Sequence, residues 1–269
     1  AVASAWLLGR YQADAQPVPM RGIGSVLFRV ILDPLMELIS RLRWAALLVL
    51  ALVLTYRFTD LVWGAFAYPF YLGTEHGAIA HTLDEVAIAS KTFGTVMTVV
   101  GAGVGGVALI FIGRMPCLLF GAFIAAVTNL LFADLAGGAV FLDAALAWTQ
   151  LDHAFAALGA DQRMARLMLA IAGENLAIGF ASVASVAYLT SIVNPRFAAV
   201  QYALLVSLTM LIGTLGRPAL GEMIETDGFR AVFILTAWLG MVAVILAALE
   251  WVRQSRSRPL VTSDNDAQS

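Results

Sequence analysis

Long apolar blocks separated by short polar stretches form the pattern of this chain. A membrane-spanning helix needs about 20 mainly apolar residues. Six blocks meet this length, at 44–72, 92–112, 116–137, 167–192, 198–223 and 229–252. The pattern predicts an all-α protein, a polytopic membrane helix bundle with six transmembrane helices in residues 44–252.

The remaining segments are more polar. We expect residues 1–43 to hold the tail of a preceding helix (AVASAWLLG) and a cytoplasmic linker with an amphipathic surface helix at 21–43. The stretch 138–163 predicts an external loop with one short amphipathic helix, and 253–269 a disordered cytoplasmic tail. We expect the chain to be the C-terminal part of a longer protein. A cleaved signal peptide is the less favoured alternative, because Arg10 follows the first apolar stretch instead of preceding it.

Composition strengthens the membrane interpretation. Apolar residues make up 61% of the 269 positions and charged residues 13%, with a mean hydropathy of +0.86. A soluble domain has about 25% charged residues. The net charge is −2 and Lys91 is the only lysine, which argues against a nucleic-acid partner. Cys117 is the single cysteine, so an intrachain disulfide is excluded; no cofactor and no metal site are implied.

Basic residues predict the orientation. If residues 1–43 are cytoplasmic, that side carries ten arginines and the other side carries Lys91 and three arginines. This asymmetry agrees with the positive-inside rule and places both ends of the chain in the cytoplasm. The three histidines then fall outside the membrane, where we expect solvated loop residues: His76, His81 and His153.

Ionisable residues inside the apolar blocks are candidates for function. A charge at the centre of a membrane helix costs about 2.5–3.5 kcal/mol. Arg57 and Asp60 stand three apart on one helical face and can also form a purely structural salt bridge. Glu174, beside Asn175, has no basic residue within two turns along its helix. Counted from the predicted helix ends, Arg57, Asp60 and Glu174 all lie in the outer half of the bilayer, which suggests a shared external cavity.

A glycine-rich run, Gly101-Ala-Gly-Val-Gly-Gly106, formally matches the dinucleotide-binding pattern G-x-G-x-x-G. It lies inside an apolar block, and no acidic residue follows about 20 positions later to bind a ribose. Gly101 and Gly105 instead stand four apart on one face. We expect close packing against a neighbouring helix.

Several motifs resemble the AmpG-type muropeptide permeases. They are ENLAIG at 174–179, VAYL at 186–189, NPRFAAVQYALL at 194–205, YRFTD at 56–60 and SKTFGTVMTVVGAGVGG at 90–106. The resemblance implies the C-terminal half of a major facilitator fold. It also implies proton-coupled import of anhydro-muropeptides across the bacterial inner membrane, for cell-wall recycling and β-lactamase induction. The implied partners are the sugar-peptide substrate, protons, membrane lipid and the N-terminal half of the same transporter. The predicted substrate and proton pathway comprises Arg57, Asp60, Glu174, Asn175, Gln201 and Tyr202.

Two alternatives stay open from the sequence. One is a major facilitator transporter of another solute, and the other is a half-transporter scaffold that transports nothing. The scaffold predicts that Arg57, Asp60 and Glu174 tolerate neutral replacement. An enzyme is disfavoured, because no Ser-His pair or metal-ligand cluster lies in the apolar blocks.

Overall fold

The structure, a computed structural model, describes residues 31–256, and for residues 59–63 the backbone only. Within this part all regular elements are helices. In chain order they are α1 Asp33–Leu42, α2 Ala45–Tyr56, α3 Phe58–Leu72, α4 Leu83–Ile112, α5 Arg114–Ala136, α6 Val140–Thr149, α7 Leu151–Ala157, α8 Gln162–Ile192 and the stretch Ala198–Arg256. That last stretch is interrupted at Gly228 (φ 81°, ψ 170°), which divides it into α9, 198–227, and α10, 229–256.

Membrane-spanning capacity is confirmed. Four helical stretches are long and apolar enough to cross a bilayer, namely α4, α5, α8 and the interrupted stretch Ala198–Arg256. A fifth span is possible if α1 and α2, which meet at a 115° bend, count as one. The predicted segment 44–72 is divided at Arg57 into α2 and α3. The exact count of six spans therefore stays a prediction.

α4 begins nine residues before the predicted boundary at residue 92. The Thr82 hydroxyl accepts a hydrogen bond from Glu85 N (3.3 Å), and the Glu85 carboxylate accepts one from Thr82 N (2.9 Å). This capping box starts the helix although Asp84, Glu85, Ser90 and Lys91 interrupt the apolar residues that follow. The segment Ala87–Phe93 within α4 is a π-helix. Lys91 therefore lies within α4, although the predicted segment begins after it at residue 92. Its position on the outer side of the membrane stays a prediction.

The stretch 138–163 holds two short helices where the sequence predicted one. They meet at Gln150, whose left-handed backbone (φ 56°, ψ 21°) ends α6 and begins α7. Arg166 at the start of α8 donates two hydrogen bonds of 2.6 Å to Asp143 of α6. These bonds hold the pKa of the Asp143 carboxyl below its ordinary value, and they fasten α6 to the bundle.

His81 differs from the expected solvated loop residue. Only 4% of its surface is exposed, and its Nδ1 lies 2.9 Å from the Glu85 carboxylate. Arg163 approaches the same carboxylate at 3.1 Å. His76 and His153 are exposed, as predicted. Its burial and its contact with Glu85 make His81 part of the packed structure of the 73–85 connection. The same burial lowers the pKa of His81.

Close packing through glycine is confirmed where α4 crosses α8. A Cβ atom at Gly101 would lie 2.2 Å from the carbonyl oxygen of Leu176, and one at Gly105 would lie 3.1 Å from the Cα atom of Phe180. From the other side, a Cβ atom at Gly179 would lie 2.2 Å from the carbonyl oxygen of Thr98. The two backbones approach so closely that only glycine fits at positions 101 and 179, and a larger residue at position 105 would need a small shift of α8.

Two apolar clusters fill the ends of the bundle. At one end, Phe70, Phe132 and Phe233 pack with ring centroids 5.0–6.2 Å apart. This end also holds His81, so we call it the His81 end. At the other end, Leu38 of α1 packs with Met115 and Ile192; we call it the Arg114 end, after the first residue of α5.

The outer limits of the predicted domains fall partly outside the described residues. AVASAWLLG and the first part of the predicted surface helix lie in 1–30, and 257–269 is most of the predicted tail. The described remainder of the surface helix is α1, which buries Pro34 and Leu38. α10 continues to Arg256, past the predicted boundary at 252, because Arg253 donates two 2.7 Å hydrogen bonds back to the buried Glu250.

Candidate transport site

Arg57 occupies the break between α2 and α3. Its backbone (φ −114°, ψ 10°) leaves the helical region and ends α2 at Tyr56. One guanidinium nitrogen, Nη1, donates a 2.6 Å hydrogen bond to the Ser182 hydroxyl of α8. The Ser182 hydroxyl in turn donates to the carbonyl oxygen of Ile178. A half-buried cation is thus held against the helix that carries Glu174.

A cavity of about 270 Å³ lies beside this pair. Arg57, Ser182, Ser185, Tyr202 and Thr209 supply its polar lining. The structure therefore brings together two of the predicted pathway residues, Arg57 and Tyr202, from helices that are far apart in sequence. Ser182 was not among the predicted site residues.

Asn175 lies where α4 and α8 cross. Its side-chain oxygen accepts a 2.9 Å hydrogen bond from the Thr98 hydroxyl, and its amide nitrogen donates to the carbonyl oxygen of Ile171 at 2.9 Å. An uncharged pair of this kind satisfies polar groups inside apolar helices. Asn175 therefore fixes the register of the two helices next to Glu174.

Glu174 is half-buried on α8 and interacts electrostatically with Tyr71 at the end of α3. Eight residues separate Glu174 from Ser182, or about 12 Å along the helix. Glu174 and the Arg57 contact are therefore about two turns apart. Asp60 belongs to α3, but its side chain lies outside the described residues. The predicted pairing of Asp60 with Arg57, and a cavity shared with Glu174, stay predictions.

Gln201 occupies a different place from the other predicted residues. It is 1% exposed at the Arg114 end. Its Nε2 donates to Glu37 Oε2 (2.6 Å) and to the carbonyl oxygen of Pro34 (2.8 Å), and its Oε1 accepts from Asn194 N (2.7 Å). Hydrogen bonds to the Glu37 carboxylate lower its pKa, and the bond from the Asn194 amide has the largest effect. In this arrangement Gln201 fastens α1 to the connection between α8 and α9.

Sequence reasoning also missed a cation on α4 that contacts α3. The Lys91 ammonium lies 5.4 Å from the centre of the Tyr68 ring of α3. The sequence analysis placed Lys91 on the outer side of the membrane, just before the segment 92–112, and so did not include it among the site residues. The capping box at Thr82 was the signal that could have extended the helix back over Lys91. Among the side chains that the structure describes, no group of three or more His, Cys, Asp or Glu residues is placed to hold a metal ion.

Comparison with known proteins gives consistent matches. The chain is 27% identical over 201 residues to putative transporter AmpG 4 of Rickettsia conorii, covering 75% of this chain and 42% of that protein. It is 26% identical over 242 residues to the anhydromuropeptide permease of Escherichia coli K12, covering 90% of this chain and 43% of the permease. No protein-family model matches the chain.

The relatives are named as transporters or permeases, which supports transport as the general class of function. The chain spans little more than two fifths of the length of either relative. The match to proteins of these names confirms the resemblance that the motifs at 174–205 indicated. Over most of its length the chain is therefore similar to transporters named AmpG or anhydromuropeptide permease, which are more than twice as long, and its helices can cross a membrane several times.

Proposed function

We propose that this chain is the C-terminal half of a major facilitator transporter that imports anhydromuropeptides together with protons. The name of the Escherichia coli relative supports the substrate. The observation that carries the proposal is the bond between Arg57, at a helix break, and Ser182, on the helix of Glu174. Polar groups at such positions are costly in a membrane and are typical of a solute pathway.

Each polar residue has a proposed role. Arg57 attracts an anionic or sugar-peptide substrate from the cavity that Tyr202 also lines. Glu174 is the proton carrier, because a carboxyl group away from bulk water changes its protonation when its surroundings change. Asp60 stays charged. Asn175 and Gln201 support the pathway by holding the helices through the hydrogen bonds described above.

The site is completed by the N-terminal half of the transporter. Facilitator sites form near the bilayer midplane between repeats. With both ends of the chain in the cytoplasm, the His81 end faces the periplasm and the Arg114 end the cytoplasm of a bacterial inner membrane. Substrate then enters from the His81 end.

Glu174→Gln in the full-length transporter tests the proposal. The substitution keeps shape and hydrogen bonding but removes the titrating group. In proteoliposomes with an imposed pH gradient, the variant should lose accumulation of labelled anhydromuropeptide and keep exchange of internal for external substrate. Glu222→Gln, an exposed carboxylate of α9, is the matched control and should accumulate substrate normally.

Other results would reject the proposal. Normal pH-driven accumulation by Glu174→Gln would remove Glu174 as the carrier. If Arg57→Gln and Glu174→Gln both leave every function of the full-length protein unchanged, the scaffold alternative is favoured. If the wild-type protein accumulates another solute but no anhydromuropeptide, the substrate assignment is wrong.

A further inference from the structure

Lys91 is a cation within a helix that can span a membrane. It lies eight residues after Leu83, about 12 Å along α4, on the π-helical segment Ala87–Phe93. Local π-helix is frequent at functional sites. The side chain is exposed, and its ammonium lies 5.4 Å from the centre of the Tyr68 ring.

The structure gives Lys91 no anionic partner among the side chains that it describes. None of the described carboxylates forms an ion pair with the Lys91 ammonium. The Tyr68 ring positions the ammonium through a cation–π contact but adds no negative charge. The ammonium can therefore bind an anion that comes from outside this chain.

Lys91 lies on the polar side of α4. Thr95 and Thr98 follow it at helical spacing, and the Thr95 hydroxyl donates to the Lys91 carbonyl oxygen. Thr98 donates to Asn175, beside Glu174. Asp84 and Thr92 of α4 are exposed as well. Beyond Thr95 the exposed side chains of α4 are apolar and include Val96, Val99, Val100, Val104 and Val107. An apolar face suits lipid, whereas the polar side continues towards the candidate transport site.

A second connection runs through α3. Tyr68 and Tyr71 stand three residues apart and interact electrostatically, and Tyr71 interacts in the same way with Glu174. Lys91 is thus linked to the surroundings of Glu174 by its cation–π contact with Tyr68 and by the electrostatic interactions of Tyr71 with Tyr68 and with Glu174.

We propose that Lys91, positioned by Tyr68, binds a carboxylate of the transported substrate. This inference rests on the proposed function, since the peptide part of an anhydromuropeptide carries carboxylates. It adds a substrate-binding residue on α4 and a preference for an anionic substrate. Lys91 supplies a charge-assisted hydrogen bond, which is stronger than a bond between neutral groups.

The test compares Lys91→Gln and Lys91→Arg in the full-length transporter in proteoliposomes. Uptake is measured with an anhydromuropeptide and with the same compound after amidation of its carboxylates. Arg196→Gln is the matched control, since the Arg196 guanidinium also lies 5.4 Å from an aromatic ring, that of Phe197, but in the connection between α8 and α9. Thermal melting of each variant shows that it is folded.

Lys91→Gln should raise the KM for the free-carboxylate substrate by about tenfold or more, and leave the KM for the amidated compound within about twofold of wild type. Lys91→Arg and Arg196→Gln should both stay close to wild type. An equal change for both substrates, or no change, would overturn the inference while the proposed function stands. An effect that follows the anionic lipid content and ignores the substrate charge would assign Lys91 to a lipid headgroup. Failure of the wild type to take up the anhydromuropeptide would reject the proposed function, and this inference with it.

Discussion

Replacing Gly101 with Ala should force α4 away from α8. The added Cβ atom would lie 2.2 Å from the Leu176 carbonyl oxygen and 2.8 Å from the Leu176 Cα atom. Ordinary contact begins at 3.4 Å, so the helices must separate locally by about 1 Å. The obstructing atoms belong to the backbone, and no side-chain rotation can relieve the contact.

The magnitude follows from three contributions. Overpacking costs about 1–3 kcal/mol. A shift of this size also strains the hydrogen bond from Thr98 to Asn175, with a net value of about 0.5–1.5 kcal/mol. Alanine recovers about 1 kcal/mol through its better helix propensity. The expected net loss is about 2 kcal/mol, which lowers the melting temperature by about 4–8 °C in a domain of this size.

Cys117 provides the assay. It is the only cysteine of the chain and is fully buried, so a thiol-reactive fluorescent dye reports unfolding in detergent. Gly103→Ala is the matched control, because a Cβ atom there would meet nothing within 4 Å; it should melt at or slightly above the wild-type temperature. If Gly101→Ala melts no lower than Gly103→Ala, the reasoning on helix packing is refuted.

Three further predictions concern assembly, topology and pH. The chain expressed alone should insert into the membrane and transport nothing; uptake of labelled muropeptide by it would show that the site needs no N-terminal half. Reporter fusions should read cytoplasmic near Gly113, Asn194 and Ser255 and periplasmic near Gly77, Ala147 and Asp227, and a swap at any position would overturn the six-span orientation. Because burial lowers the pKa of His81 in the folded state, the stability it contributes is present above the ordinary value near 6.5 and is lost as the pH falls below it. The melting temperature should therefore decrease as the pH drops below about 6.5. His81→Gln should weaken this dependence. If the pH profile of the variant is the same as that of the wild type, His81 is not its cause.

Apolar length and small-residue spacing made much of the fold predictable. Both are properties of short stretches of sequence, so the membrane class and the bodies of α5 and α8 could be predicted without knowledge of any partner. The spacing of Gly101 and Gly105 indicated one packed face, although it did not say which helix lies against it. The cost of a charge in an apolar helix likewise singled out Arg57 and Glu174.

The tertiary structure decided which groups meet. Ser182 bonds to Arg57 across 125 positions of sequence and Thr98 to Asn175 across 77, and no local pattern contains such pairings. The same applies to Gln201, whose polar side chain is buried because α1 folds back over it, and to His81, which Glu85 and Arg163 enclose. These positions depend on which helix faces pack together, because packing removes polar groups from solvent and obliges them to find partners on other helices.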